Sequence, residues 1–263
     1  PIITAWANVA GKKESEGPLG GTFDIQSNDS YFGQRTWEQA EKQMQKTALD
    51  TLIKKAGISR QQLGLVFSGD LLNQCIGSSF TLRNMNVPHL GLYGACSTMA
   101  ESMMIGSMLI AGGCADNALC VTSSHFCSAE KQFRFPLELG NQKPMTAQWT
   151  VTGAGCTVLA TEGEGPRVTH ITIGKVIDKG IKDGNNMGAA MAPAAADTII
   201  SHLKDTGRNA SYYDAIITGD LGLTGSGLLR EIMDMHGYSL YDKSKERFVH
   251  KDCGAMIFDP LKQ

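Results

Sequence analysis

One order of signals occurs twice in this chain. An apolar segment with helical spacing is stopped by a glycine, followed by a short apolar strand, and closed by the tripeptide Gly-Asp-Leu. The first set comprises Ala40, Met44, Ala48, Leu49, Leu52 and Ile53, then Gly57, then Leu63 to Ser68, then Gly69–Asp70–Leu71. The second comprises Ala194 to Leu203, Gly207, Asp214 to Thr218 and Gly219–Asp220–Leu221. Asp70 and Asp220 are separated by 220 − 70 = 150 residues. A tripeptide alone means little, but the shared order of four signals points to an internal duplication. The chain therefore reads as two related halves, 1–165 and 166–263. Strands that alternate with helices build a parallel or mixed sheet covered on both faces. In such open sheets ligands bind beyond the carboxyl ends of the strands, where both aspartates lie.

Composition narrows the functions. With 263 residues, the chain is long enough to bury a substantial core. A net charge of −2 lacks the basic excess of a general nucleic-acid binder. No apolar run reaches the roughly 18–20 residues that cross a bilayer, and the opening Pro1–Ile2–Ile3–Thr4 has no basic region ahead of it. The seven cysteines show no CxxC pair, so neither a structural zinc site nor any other metal site is expected. Gly113–Cys114–Ala115 and Ala118–Leu119–Cys120–Val121 read as small buried hydrophobic stretches in a reducing compartment.

The remaining signals place one cysteine apart from the others. Ile2 to Val9 reads as a strand and Gly17–Gly21 as a loop. Thr36, with Gln39 at capping-box spacing, starts the first helix. A strand at His89 to Tyr93 runs into Gly94–Ala95–Cys96–Ser97–Thr98, and Cys96 opens an apolar helix to about Ile110. Being apolar on nearly every side, that helix is expected at the centre of the molecule, with Met99, Met103, Met104 and Met108 as packing. The strand Ala118 to Ser123 leads to a polar loop from His125 to Gln148, then to a strand at Thr150 to Ala160. A cysteine at a helix N-terminus meets unpaired N–H groups and the positive end of the helix dipole. Both stabilise a thiolate nucleophile, and the same N–H groups can instead hold a ligand carboxylate.

The phrases GPLG (17–20), GDLLNQ (69–74), GACSTMAES (94–102), TSSHFCSAEKQFRFPLELGNQKP (122–144), VTGAG (151–155), MGAAMAPAAADTI (187–199) and ITGDL (217–221) resemble the thiolase and ketoacyl synthase superfamily. Within it they resemble most the stage V sporulation protein AD family. The resemblance implies a duplicated, five-layered αβαβα thiolase-like fold, with the second half incomplete in this chain. It also implies a homodimer that binds dipicolinic acid (pyridine-2,6-dicarboxylate), alone or as its calcium chelate, and needs no cofactor. Its place would be the cytoplasmic side of the forespore inner membrane, assisting dipicolinate uptake with the membrane-embedded SpoVA proteins.

Departures from the superfamily pattern bear on catalysis. A condensing enzyme of this kind needs a histidine after the strand at Ile216–Thr218, where this chain has Gly219–Asp220. A second catalytic His or Asn is expected from a glycine-rich loop beyond Asp252–Cys253–Gly254. Cys96 is thus read as a relic of the nucleophile in a binding protein, and the alternative is an active acyltransferase that uses it. A flat dianion asks for N–H groups, cations and an apolar wall. The candidates are Cys96 and Ser97 at the helix start, Arg134 and Lys143 in the polar loop, and Phe133, Phe135 and Trp149 for the ring. Asn73, by family position, joins them, as do Gly219 and Asp220. His125 is a ligand contact, a proton carrier or a hydrogen-bonded core residue. Asp70 and Asp220 either contact the ligand, with any calcium ion that accompanies it, or cap the helices that follow; two carboxylates alone do not make the cage of roughly six to eight oxygens that calcium takes.

Overall fold

In the computed structural model residues 1–133, 137–140, 144 and 146–258 are described. In chain order the elements are β1 (Ile2–Ala10), α1 (Lys12–Ser15), β2 (Ile25–Gln26), α2 (Trp37–Ala56), β3 (Val66–Gly69), α3 (Ile76–Leu82), β4 (His89–Gly91), α4 (Thr98–Ala111), β5 (Asn117–Ser124), α5 (Phe126–Phe133), β6 (Gly153–Ala160), α6 (Met187–Thr206), β7 (Ile216–Thr218), α7 (Gly222–Met235), β8 (Tyr241–Asp242), β9 (Arg247–Phe248), β10 (His250–Asp252) and α8 (Cys253–Ile257). The chain divides into two compact units, 1–141 with 150–169 and 142–149 with 170–263, so the stretch 146–149 groups with the second unit.

The first unit is built on a six-stranded mixed sheet in the order β2-β1-β6-β5-β3-β4. β6 runs antiparallel to both β1 and β5, while β3 and β4 run parallel to β5. The carboxyl ends of β1, β5, β3 and β4 therefore share one end of the sheet. One layer over the sheet is α2, which buries Met44, Ala48, Leu49 and Leu52 against Val66, Leu119, Val121 and Val158. At about 1.5–3 kcal/mol per fully buried side chain, that cluster is the unit's main source of hydrophobic stabilisation. The helix starts as its sequence predicts: the Thr36 hydroxyl accepts from the Gln39 N–H. The Gln39 side chain reaches back to the Arg35 N–H, one residue short of a true capping box. It ends at Gly57, whose φ of 63° is the left-handed stop.

α4 corrects one expectation. Its fully buried residues are Thr98, Ser102, Gly106, Ser107 and Ile110, whereas Met108 is 50% exposed. The helix packs by a face of small residues. A Cβ at Gly106 would already lie 3.2–3.4 Å from Leu159, Ala118 and Phe67. Met99 and Met103 pack as expected against the cluster of Phe67, Ile110 and Leu159, and it is Met108 that falls on the outer side. A second correction concerns 125–148, read as loop, whose first part folds as α5.

The second unit repeats the first in detail. α2 and α6 are each 20 residues long, and their first residues stand 187 − 37 = 150 apart. Gly207, with φ 64° and ψ 27°, repeats the Gly57 stop at 63° and 25°. A 3₁₀ turn follows each glycine (Arg60–Gln62 and Ala210–Tyr212), then β3 or β7, then Gly-Asp-Leu. β10 pairs parallel with β7 as β4 does with β3. α6 and α7 pack face to face through Ala192, Ala196, Leu221 and Leu229, and Gly188 lies against the backbone of Gly225.

Candidate functional site

The shared strand end of the first unit gathers Asp70, Asn73, Cys96, Ser97 and His125, five of the residues singled out from the sequence. Gly69, the last residue of β3, lets this end close up: a Cβ there would collide with the Leu92 carbonyl and the Thr98 side chain. The chain leaves β4 through Leu92, passes over Gly69 and turns sharply into α4. Ala95, immediately before Cys96, takes a φ of 50°, a left-handed conformation that costs a residue with a Cβ about 1 kcal/mol or more. Cys96 sits in the 3₁₀ turn Ala95–Ser97 rather than in α4 itself, and it is exposed.

The hydroxyls beside it are turned away from the helix start. Ser97 donates to the Gly94 carbonyl at 2.8 Å and Thr98 to the Ala95 carbonyl at 2.8 Å. Ser97 is the N-cap of α4, yet its side chain makes no cap bond. No side chain caps α4; the Ser97 and Thr98 N–H groups donate to the Gly94 and Ala95 carbonyls of the turn, and the N–H groups that follow in the first turn are the ones a bound anion could engage. Glu101, in the first turn, packs its carboxylate over Gly94.

Asp70 is 3% exposed and faces inward. Its carboxylate accepts from the N–H groups of Leu72 (3.0 Å) and Ser78 (2.7 Å) and from the Ser78 hydroxyl (2.6 Å). Ser78 lies in the first turn of α3, so Asp70 caps that helix at a distance, the capping role being one of the two that its sequence context offered. Between Asp70 and α3 the chain makes two consecutive left-handed residues, Gln74 (φ 58°) and Cys75 (φ 54°). Asn73 is exposed, and its N–H donates to the Gln132 side chain of α5 at 3.2 Å.

His125 takes the last of the three roles its sequence context offered. It is 1% exposed, with Nε2 donating to the Ser30 carbonyl at 2.7 Å and Nδ1 accepting from the Cys127 N–H at 3.1 Å. Those partners admit one neutral tautomer, and burial pushes its pKa below the ordinary range. A histidine so engaged is a core residue and has no free nitrogen for a ligand. Arg134, Phe135 and Lys143 lie outside the described residues.

The sequence reading missed the groups beneath this end. Glu41 of α2 is fully buried and accepts from the hydroxyls of Ser123 (3.1 Å) and Ser128 (2.9 Å) and from the Leu71 N–H. Gln45, one turn on, donates to Ser78 at 2.9 Å and to the Gly69 carbonyl at 3.3 Å. Burial and the Asp70 charge push the Glu41 carboxyl up to about 7. The signal was present: two polar residues four apart, at 41 and 45, interrupt the otherwise apolar face of the first helix.

In the second unit Gly219 and Asp220 follow β7. The Asp220 carboxylate accepts from the Gly222 N–H at 3.1 Å and lies against Gly254. Asp252 holds this turn, accepting from the Leu221 N–H (2.7 Å) and capping α8 through the Ala255 N–H (3.1 Å). His250, far from Gly219 in sequence, is brought by β10 onto β7, with Nε2 3.0 Å from the Thr218 hydroxyl. Cys253 begins the helix after β10 much as Cys96 precedes the helix after β4. Burial raises its thiol pKa. Cys114, expected to be buried, is exposed. Cys120 and Cys156 are buried, which pushes their thiols to about 12. Among the described residues no group of three or more His, Cys, Asp or Glu is placed to hold a metal ion, and no helix is long and apolar enough to cross a membrane.

The family model described as stage V sporulation protein AD matches residues 1–263. The chain belongs to the stage V sporulation protein AD family. A curated member, stage V sporulation protein AD of Bacillus subtilis (strain 168), is 42% identical over 262 residues, covering 100% of this chain and 76% of that protein. Solved structures extend the likeness to ketoacyl synthases. The 3-oxoacyl-[acyl-carrier-protein] synthase III of Aquifex aeolicus VF5 is 12% identical with a TM-score of 0.56, over 99% of this chain and 89% of that one. A cysteine-to-serine variant of Xanthomonas campestris OleA, with bound lauric acid and lauroyl-CoA, is 14% identical with a TM-score of 0.62, over 95% and 84%. At those identities they establish the fold of this family member, which is thiolase-like.

Proposed function

We propose that this chain is a dipicolinate-binding protein that assists uptake of dipicolinate into the developing spore. Membership of a sporulation family along all 263 residues is the observation that carries the reading. The turn at Cys96 supports it: an exposed, strained elbow ahead of N–H groups that no side chain caps suits a carboxylate of the ligand. In this reading Cys96 and Ser97 contact the ligand through the backbone of the elbow. Asn73, at the same strand end of the first unit, is the further ligand contact. The ligand enters as free dipicolinate or as its calcium chelate, and membrane-embedded SpoVA proteins at the forespore inner membrane are the partners. A homodimer is part of the proposal, supported by β4, which is an outer strand of the sheet among the described residues; Leu90 on it is 48% exposed and Tyr93, two residues beyond it, 51%.

Calorimetric titration with dipicolinate, with and without calcium, tests the reading, and mass spectrometry after exposure to an acyl-CoA tests its alternative on the same sample. Saturable binding that weakens in Cys96→Ala, with no acyl adduct, is the expected result. An acyl adduct on Cys96 without dipicolinate binding would establish an acyltransferase instead.

A further inference from the structure

The clasp beneath the strand end joins three segments that are distant in sequence. Ser123 lies one residue before the end of β5, Ser128 in the first turn of α5, and Leu71 in the turn after β3; all three donate to the one carboxyl group of Glu41. The Asp70 carboxylate lies close enough to act on it electrostatically. Among the described residues neither acid has a cationic partner.

The other titratable groups on the elements packed around α2 are Cys156 of β6, Cys120 of β5, Cys127, Glu130 and Lys131 of α5, and His125 just ahead of α5. β1 and α3 carry none. Lys131 pairs with Glu38 at 3.4 Å on the exposed side of α2, and His125 is held neutral. Asp70 is thus the charge that acts on Glu41. Two buried carboxylates with no cation between them do not both stay ionised without cost.

Ser128 supplies the second half of the device. Its hydroxyl lies 2.9 Å from Glu41 Oε2 and 3.1 Å from the His125 carbonyl, and it has one proton to give. With Glu41 ionised, Ser128 donates to Glu41. With Glu41 protonated, Glu41 donates to Ser128 Oγ and Ser128 donates to the His125 carbonyl. The ionised state gives up the Ser128 bond to the His125 carbonyl, which keeps the Ala129 N–H, and it sets a second charge beside Asp70.

We propose that Glu41 is a proton-operated clasp. Protonated, it relays through Ser128 to the His125 carbonyl and fastens α5 and the 69–72 turn to α2. On losing its proton it sets a second buried negative charge beside Asp70 and loosens both. The Asn73–Gln132 bond already ties the loop after that turn to α5, so the two segments move together. The clasp works whatever ligand the strand end receives.

Hydrogen exchange of the whole chain, read by mass spectrometry at peptides covering 69–78 and 126–133 between pH 5 and 8.5, tests this without any ligand. Opening exposes Glu41 to water and returns it to an ordinary carboxyl. Protection factors, corrected for intrinsic exchange, then fall about tenfold per pH unit between 5 and 7 and level off above about 7. Glu41→Gln flattens the profile. Asp70→Asn, by removing the neighbouring charge, moves the levelling point to lower pH. A flat wild-type profile, or an unchanged fall in Glu41→Gln, overturns the proposal. Should Glu41→Gln not fold, a levelling point unmoved by Asp70→Asn overturns it as well.

Discussion

Gly69→Ala tests whether the end of β3 really sets the position of the Cys96 elbow. An alanine methyl there would meet the Leu92 carbonyl and the Thr98 methyl, each more than about 1 Å inside an ordinary contact of roughly 3.5 Å. Overpacking of this kind costs about 1–3 kcal/mol, and the upper figure applies because one obstacle is backbone and cannot swing away. Loss of glycine's freedom in the unfolded chain returns about 0.4–1 kcal/mol. The net is a destabilisation of about 2 kcal/mol, a fall in Tm of about 4–8 °C for a chain of this size. Leu92 and Thr98 flank the elbow, so their displacement also alters alkylation of Cys96, followed at peptide level by mass spectrometry with the exposed Cys114 as internal reference. Gly227→Ala is the control of opposite sign. A Cβ at Gly227 meets nothing within 4 Å, and alanine inside α7 raises stability by about 0.5–1 kcal/mol. If Gly69→Ala left both Tm and Cys96 reactivity unchanged, the packing argument for the elbow would be wrong.

Gly219 is the repeat counterpart of Gly69 but sits in open space, so Gly219→Ala changes Tm by no more than about 1–2 °C in a scanning calorimeter. Glu101→Gln removes a like charge from beside the proposed anion site and tightens dipicolinate about two- to fivefold by calorimetry, most at low salt; unchanged affinity would place the ligand away from the α4 start. Asp252→Ala deprives the Leu221 and Ala255 N–H groups of their acceptor and lowers stability by about 2–3 kcal/mol in urea titration. With Glu41 raised from 4.5 to about 7 in the folded state, stability on its account is greatest below pH 4.5 and is lost as pH rises towards 7. Urea titrations at pH 5 and 7 show this as a drop of at most about 3 kcal/mol that is absent in Glu41→Gln.

Local rules made part of the site legible in advance. Thr36 caps and Gly57 stops a helix by chemistry within a few residues, and Gly207 repeats the stop. The strand-to-helix turn at Cys96 was marked by the small residues around it. His125 was not legible, because its neutral, fully bonded state depends on the Ser30 carbonyl, 95 residues away. α5 was hidden by its length: eight residues, with only Phe126, Ala129 and Phe133 as an apolar stripe, stand at the head of a longer polar run. The exposure of Met108 was not legible either, because the sheet takes the small residues of α4, where backbones approach most closely, with Met99 and Met103 beside them.

The sequence by itself determined the duplicated α/β plan, the glycine stops of the two long helices, the strand ends that carry Asp70 and Asp220, the turn that carries Cys96, and the family. Each is written in short-range periodicity, in turn residues or in whole-chain likeness. Only the tertiary structure decided what those residues do. It turned Asp70 inward to cap α3, closed His125 into the core, set His250 beside Thr218, and placed Glu41 next to a second buried carboxylate. The physical reason is common to all four. A charge or a proton is governed by solvent access and by partners across strands and helices, and those are fixed by packing rather than by neighbours in the chain.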